Sequence, residues 1–395
     1  MSRRLPRYSL CLSIGAVVVV TGAWLAQAGV LAPPAGAVTG TMKTLVEVEP
    51  RTAANATNTP GDADSTFKIT QAGSYYLVGN LTGESGKHGI EIAADDVTLD
   101  LRGFALVGVI GSLDGLSTPV QQRNLAIING AIRNWGGDGL DAGNSINVNA
   151  NGLRTSNNGG DGIRGGFSCI IQSCAAFSNA QDGIEAGDNG LVVDCTARSN
   201  NAFGIIVSVS GVARGCTATF NGQHGISAGG GTVSHCDARG NTQNGINLIG
   251  GAAIACTAQT NAIGIRGSFG TVIRQCSAAS NSSAGIEVET ACYVADNNCY
   301  ANASQAQFDG SNIHVTSVQN RIEGNLVTDS DRGIDVDAAN NLIIRNTARG
   351  NTTNYDIVAN NKVGAIVSAP NSGAISGSTG GAGVGTSDPW ANLSF

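Results

Sequence analysis

Charge, aromatic rings and lysine are all scarce in this chain. Charged side chains make up 13% of its 395 residues and aromatic ones 5%, and no lysine lies between Lys87 and Lys362. With a net charge of −7, the chain lacks the basic footprint of a nucleic-acid binder. A polyanion could be held only by a local basic patch, because the global field opposes it. Within the regular part of the chain no apolar segment is of helix length at helical spacing, which argues for strands. Leucine is too sparse for a leucine-rich repeat. There is no Gly-x-Ser-x-Gly elbow, phosphate-binding loop or His-Glu-x-x-His helix. His88, His235 and His314 stand isolated in sequence, and no paired cysteines adjoin a histidine, so no copper or zinc set is legible.

What is present begins with Arg3, Arg4 and Arg7, followed by an uncharged apolar run from Leu10 to Val30. Ala26-Gln27-Ala28 and Ala35-Gly36-Ala37 come next. Basic start, apolar core and small-residue cleavage site together predict a signal peptide over 1–37 and export of the chain. If uncut, the same run would serve as a membrane anchor; no later segment is apolar for long enough to do so. Removing the three arginines would take the net charge from −7 to −10. Glycine is abundant, at 56 residues, but without a collagen period, and 42% hydrophobic content argues for a real core.

The core is organised by a repeat. Cys174-Ala-Ala-Phe-Ser-Asn179 returns as Cys195-Thr-Ala-Arg-Ser-Asn200, Cys216-Thr-Ala-Thr-Phe-Asn221 and Cys236-Asp-Ala-Arg-Gly-Asn241. Two more copies start at Cys256 and Cys276, and a degenerate one runs from Asn346 to Asn351. A Gly-Ile unit follows each block, as in Gly183-Ile184, Gly204-Ile205 and Gly225-Ile226, and a third apolar segment includes Val192, Val212 and Val233. Three short, β-branched segments per 20 or 21 residues predict one turn of a parallel coil, stacked at about 4.8 Å. Roughly a dozen such coils are expected. The Ca²⁺-binding nonapeptide roll matches only once, at Gly136-Gly137-Asp138-Gly139-Leu140-Asp141, and its period is wrong. The predicted layout is a polar linker or cap over 38–66, the helix over 67–367 and a loose Gly/Ser-rich tail over 368–395, whose last residues regain aromatics for docking.

Stacking puts the six repeat cysteines in one inward column. In-register Cβ atoms lie about 4.8 Å apart, beyond the roughly 3.5–4.5 Å of a disulfide, so buried thiols are expected. Cys169, Cys292 and Cys299 break the period, which leaves a bridge open there. The asparagine column sits at a turn, where αL geometry and amide ladders suit it.

The Ile69-Thr-Gln-Ala-Gly-Ser-Tyr-Tyr76 entry, the Asp96-Val-Thr-Leu-Asp-Leu-Arg-Gly103 strand and the Asp-Gly-Ile and Cys-x-Ala-x-x-Asn units resemble the right-handed parallel β-helix superfamily, pectate-lyase-like, with its NosD-type repeats. The resemblance covers roughly residues 65–365. It implies an all-β solenoid and carbohydrate polymers as the commonest ligand class, without fixing an activity.

Chemistry is most plausible at the position before each Gly-Ile, which reads Asp138, Asp161, Asp182, Phe203, His224 and Asn244. Stacked carboxylates repel one another, so they spread into water, hold Ca²⁺ or keep a proton for acid/base work. Asp138, Asp161 and Asp182 are thus the candidate Ca²⁺ ligands, and with His224 the candidate catalytic set. The bland alternative is a column of favoured Asp-Gly turns. The hydrolases that the resemblance brings in carry a Gly-His-Gly turn, which here reads Gln223-His224-Gly225. Trp135, Arg164 and Phe203 are the candidate ligand-binding residues, with Arg133 and Arg154 as further cations. If Trp135, Phe167, Phe177, Phe203 and Phe220 gather beside the Asp column they make a saccharide groove; turned inward they leave a plain rod. Asp329, Asp331, Asp335 and Asp337 read as solvated turn charge. The leading expectation is an exported rod, without complete catalytic machinery, that acts as a polysaccharide-binding or surface-interaction protein. Its partner is a polysaccharide or cell-surface glycan, with no nucleic acid, and no membrane unless the N-terminal segment is uncut. A polysaccharide lyase or glycoside hydrolase, and a periplasmic accessory protein of NosD type, are the alternatives.

Overall fold

The computed structural model describes residues 49–303, 310–369, 372–377 and 388–394. The segment 1–37, read from the sequence as a signal peptide, lies outside them. The chain divides into two units, Met1–Pro50 and Arg51–Phe395, and everything below concerns the second. Among the described residues there is no helix, and hence none long and apolar enough to cross a membrane. The 42 strands of the described residues belong to one parallel network in which nearly every strand pairs with the one three places further on.

That rule of three is the predicted coil. Ile163–Phe167, Ile170–Gln172 and Ala175–Phe177 form the three sides of one turn. They pair in parallel with Ile184–Ala186, Leu191–Val193 and Thr196–Arg198 of the next. About 15 turns stack in this way, a few more than expected, giving a rod about 70 Å long at strand spacing. The architecture is a right-handed parallel β-helix, the expected hand for a parallel crossover.

Three inward columns make the core, one from each side. Ile163, Ile184, Ile205 and Ile226 stack on the first side, Ile171, Val192, Ala213 and Val233 on the second, and Ala176, Ala197, Ala218 and Ala238 on the third. All are buried. Each isoleucine or valine contributes about 1.5–3 kcal/mol relative to exposure, and no coil can bury its own faces alone.

The asparagine ladder and the Gly-Ile motif prove to be one device. Asn241 Oδ1 accepts both the backbone N–H and the side-chain amide of Asn221, at 3.0 Å each, and its own amide donates to Ala218 O and Asn261 Oδ1. A Cβ on Gly225 would come within 2.6 Å of the Asn241 amide nitrogen. Glycine is therefore required to admit the amide. The left-handed turn conformation falls one residue before each asparagine, at Ser178 (φ 53), Ser199 (φ 56) and Phe220 (φ 57), not on the asparagine itself. That part of the turn expectation is corrected: the asparagine is there to satisfy buried backbone groups.

Cysteine plays the same part at another corner. The N–H of Cys174 donates to Cys195 Sγ at 3.4 Å, and that of Cys256 to Cys276 Sγ at 3.4 Å. Further along, the column changes to asparagine: Cys276 N–H donates to Asn297 Oδ1, Asn297 N–H to Asn325 and Asn325 N–H to Asn346. The degenerate repeat at Asn346 thus keeps the acceptor while changing the residue. The open question of a bridge among Cys169, Cys292 and Cys299 is settled, because all nine described cysteines are free and buried. Cys299 replaces an alanine of the third side, whereas Cys169 and Cys292 share a corner column but stand six coils apart. Burial pushes the Cys169 thiol up to about 11 and raises that of Cys299 further. Because all nine are buried, a thiol reagent is expected to label none of them in the folded protein and all of them after denaturation. Labelling in the native state would contradict buried ladder thiols.

Both ends of the helix extend past the predicted boundaries. Thr52–Ala54 already pairs with Tyr75–Leu77, so the stack begins inside the segment read as a linker or cap. At the other end, Ala374–Gly377 pairs with Thr353–Ile357, and Asn392–Ser394 inserts between Thr347–Ala348 and Ile366–Ser368. Asn392 continues the cysteine/asparagine column by accepting Asn346 N–H at 2.9 Å, and Arg345 stacks over the Trp390 ring at 4.3 Å. These parts of the expected loose tail are strands, because the last coils would otherwise present open edges.

Candidate functional site

The candidate acids do form a column, and its geometry defines their work. Asp114 Oδ1 accepts the N–H of Asp138 at 2.7 Å, Asp138 Oδ1 that of Asp161 at 2.7 Å, and Asp161 Oδ1 that of Asp182 at 2.8 Å. Asp182 Oδ1 accepts Phe203 N–H at 2.8 Å. Imidazoles take over at both ends, with His88 Nδ1 accepting Asp114 N–H and His224 Nδ1 accepting Asn244 N–H, each at 3.1 Å. One oxygen of each acid is thereby committed to the backbone of the next coil.

Burial pushes Asp161 up to about 7 and Asp138 up to about 6, with neighbouring acids adding to the rise and the backbone N–H opposing it. Asp182 is raised for the same reason. His224 is lowered by burial, then by Arg266, and its ring packs 5.3 Å from that of Phe203. Phe203 stands between it and Asp182, two coils away, so His224 is not brought to the acids as a catalytic partner. Arg164 pairs with Glu185 at 3.1 Å. The acids that converge on a shared point are Asp161, Asp182 and Glu185, whose oxygens lie within 4.8 Å of one another. Among the described residues, these and not Asp138 are the acids near enough to share a cation, so Glu185 takes the place expected of Asp138.

Trp135 is corrected outright. It is 2% exposed, its Nε1 donates to Leu106 O at 3.2 Å, and its ring fills the space over Gly83 and Gly89. It closes the N-terminal core and offers no face to a ligand. The other aromatics neither gather at the Asp column nor turn inward together. Phe177 and Phe220 are about half-exposed and lie on or beside the third side of the coil.

There they meet arginines. Along the outward column of that side, Arg133, Ser156, Phe177, Arg198, Thr219 and Arg239 occupy successive coils. Arg154 lies two residues before Ser156 on the same strand. All four arginines are exposed, and among the described residues none of them has an ion pair. Arg198 lies 5.7 Å from the Phe220 ring centroid. Phe220 holds a left-handed backbone conformation, φ 57, which is unfavourable for a bulky residue. Its ring lies across Gly240, where a Cβ would come within 2.6 Å of it. Sequence reasoning missed this strip, although the signal was there: in Cys195-Thr-Ala-Arg-Ser-Asn200, period-two alternation puts Ala197 inside and Arg198 outside.

A second constellation was also missed. The register stacks Glu287, His314, Asp335 and Asp356 on the outer face of the first side. His314 Nε2 lies 2.9 Å from Asp337 and Nδ1 3.5 Å from Glu287. Asp335 is 2% exposed and pairs with Arg332 at 2.9 Å, so it is not the solvated turn charge expected of it. Glu287, then Asp337, hold the imidazole up at about 9 against burial.

No family model matches the chain, and no curated protein does. Among solved structures it is similar to the A-module of the mannuronan C-5 epimerase AlgE6 of Azotobacter vinelandii, at 16% identity and a TM-score of 0.43, covering 82% of this chain and 89% of that one. It is also similar to the catalytic unit of a GH87 α-1,3-glucanase from Streptomyces thermodiastaticus, at 12% identity and a TM-score of 0.42, covering 80% and 63%. A third is the tailspike of E. coli bacteriophage HK620 in complex with a pentasaccharide, at 13% identity and a TM-score of 0.38, covering 89% and 80%. No residue role is carried across at such identities. By architecture the chain is a right-handed parallel β-helix.

Proposed function

We propose that this chain is an exported rod that binds an acidic polysaccharide or cell-surface glycan along the third side of its coils. The carrying observation is the strip of Arg133, Arg154, Arg198 and Arg239, without carboxylate partners and interleaved with exposed Phe177 and Phe220. It is the local basic patch that an acidic chain needs to hold a polyanion. Guanidinium groups supply paired donors to carboxylate or sulfate, and aromatic faces supply sugar-stacking area. The strained backbone at Phe220 keeps a large ring on the surface, which fits a binding role. Export rests on the N-terminal segment and belongs to the same proposal.

Gel mobility in the presence of a polyuronate, a sulfated glycan and a neutral glucan tests it. The acidic polymers should retard the protein, added salt should weaken the effect, and the neutral glucan should do nothing. The double variant Arg198→Ala/Arg239→Ala should bind at least about tenfold more weakly. Equal retardation by the neutral polymer, or an unchanged double variant, would sink the proposal. A catalytic reading is favoured by one observation, the Asp161 carboxyl that lies within 4.8 Å of Asp182 and Glu185 and that burial pushes up to about 7, so that it holds a proton close to neutral pH. Turnover of these polymers, with or without Ca²⁺, that Asp161→Asn abolishes would establish it in place of simple binding.

A further inference from the structure

We infer that His314, Asp335 and Asp337 form a binding site for one divalent transition-metal ion, of the zinc or manganese class, remote from the arginine strip. The ligand atoms of the three residues lie within 4.8 Å of one another. They come from adjacent coils: His314 stacks directly on Asp335, and Asp337 follows two residues later on the same outer face. One imidazole nitrogen and two carboxylates suit a borderline ion better than Ca²⁺, which takes oxygen donors.

Two further observations point to a cation. The nitrogen of His314 away from Asp337 faces Glu287 at 3.5 Å, and Glu287 is itself held by Arg266 at 3.2 Å. A carboxylate behind the ligating imidazole, fixing its tautomer and orientation, is the usual outer shell of a metal-bound histidine. The second observation is charge. Glu287, Glu289, Asp335, Asp337 and Asp356 converge here, while Arg266 pairs with Glu287 and Glu289 and Arg332 with Asp335 and Asp356. Over these described residues, with His314 neutral, three negative charges are left over, and protonating it removes only one. A divalent ion removes two and frees His314 to act as a ligand. Asp337 has a side chain 57% exposed, so it can swing to complete the set, and three protein ligands leave the solvent side open for water.

The test is metal uptake by the untagged full chain. After chelation and dialysis, titration with Zn²⁺ should show one tight equivalent, and Mn²⁺ should compete for it. His314→Ala and Asp337→Asn should each abolish that equivalent, with circular dichroism confirming that the coils are intact. Glu287→Gln should weaken it about 10- to 100-fold, the range for loss of an outer-shell partner. Asp161→Asn should leave it unchanged, which separates this site from the other acidic cluster. Absence of a stoichiometric equivalent in the wild type, or its survival in His314→Ala, would reduce the cluster to an ion-pair network and overturn the inference. Neither result bears on the arginine strip.

Discussion

Asn241→Ala should lower the stability of the helix by roughly 3 kcal/mol or more, although it removes only a small side chain. Asn241 Oδ1 is the acceptor for the backbone N–H and one amide hydrogen of Asn221, and both donors are buried. Alanine leaves them without a partner in a place water does not reach, and each orphaned group costs about 1–3 kcal/mol. Thr219→Ala, on the outer face of the same side, should stay within about 0.5 kcal/mol. Denaturant unfolding gives the comparison, and hydrogen exchange at the Asn221 amide locates the loss. A cost under about 1 kcal/mol for Asn241→Ala would mean that the ladder follows the fold without stabilising it.

The protein should also be most stable in mild acid and weaken as pH rises through neutrality. Asp161 ionises at an ordinary 3.8 in the unfolded chain but near 7 in the folded one. Below 3.8 both states are protonated and nothing is lost. Above it the unfolded state gains by ionising while the folded state resists, so stability falls until about pH 7. The shift corresponds to roughly 2–4 kcal/mol for this residue alone, and Asp138, near 6, acts in the same window. His314 extends the decline: its gain is full below 6.5 and is lost as pH rises through about 9. Glu287 is held below its ordinary value and acts only at lower pH. Asp161→Asn keeps the acceptor for Asp182 N–H without the charge, so it should raise stability at pH 8 and flatten the lower window. Urea unfolding across pH 4–9.5 with chelator present would reveal this. A wild type that gains stability on going from pH 5 to pH 8 would contradict it.

The column behind this behaviour shows how far sequence reading reached. Vertical alignment of Asp138, Asp161 and Asp182 followed from the recurring Asp-Gly unit before each inward residue, as did their mutual repulsion. The direction of each carboxylate did not. One oxygen of every acid bends back to a backbone N–H, which makes the column first a structural ladder and only secondarily a place for chemistry. Arg164 and Glu185 illustrate the same gap, because their pairing depends on which outward residues meet across coils.

His314 shows a larger one. In sequence it has no partner closer than Asp309, whereas in the helix Glu287 precedes it by one coil and Asp335 follows by one. The segment between the strands at Asn298–Tyr300 and Ser311–Val315 is longer than in the regular repeats, so the 20- or 21-residue period does not predict that Glu287 stacks on His314, although it does carry His314 onto Asp335. Trp135 failed in the opposite direction. It falls at a corner of the repeat, where inside and outside are not decided by alternation but by the room that Gly83 and Gly89 provide.

The amino-acid sequence by itself determined the coil, its period and the inward columns of isoleucine, valine, alanine, cysteine and asparagine, because these depend only on equal chain lengths returning like residues to like angles. Tertiary structure alone decided what the outer surface does. The repeat brings outward residues such as Phe177 and Arg198, or His314 and Asp335, into one column. Which ionic and aromatic side chains there pair and which stay exposed depends on side-chain direction and on neighbours outside the column. The arginines beside Phe177 and Phe220 and the carboxylates around His314 therefore emerge only once the coils are stacked.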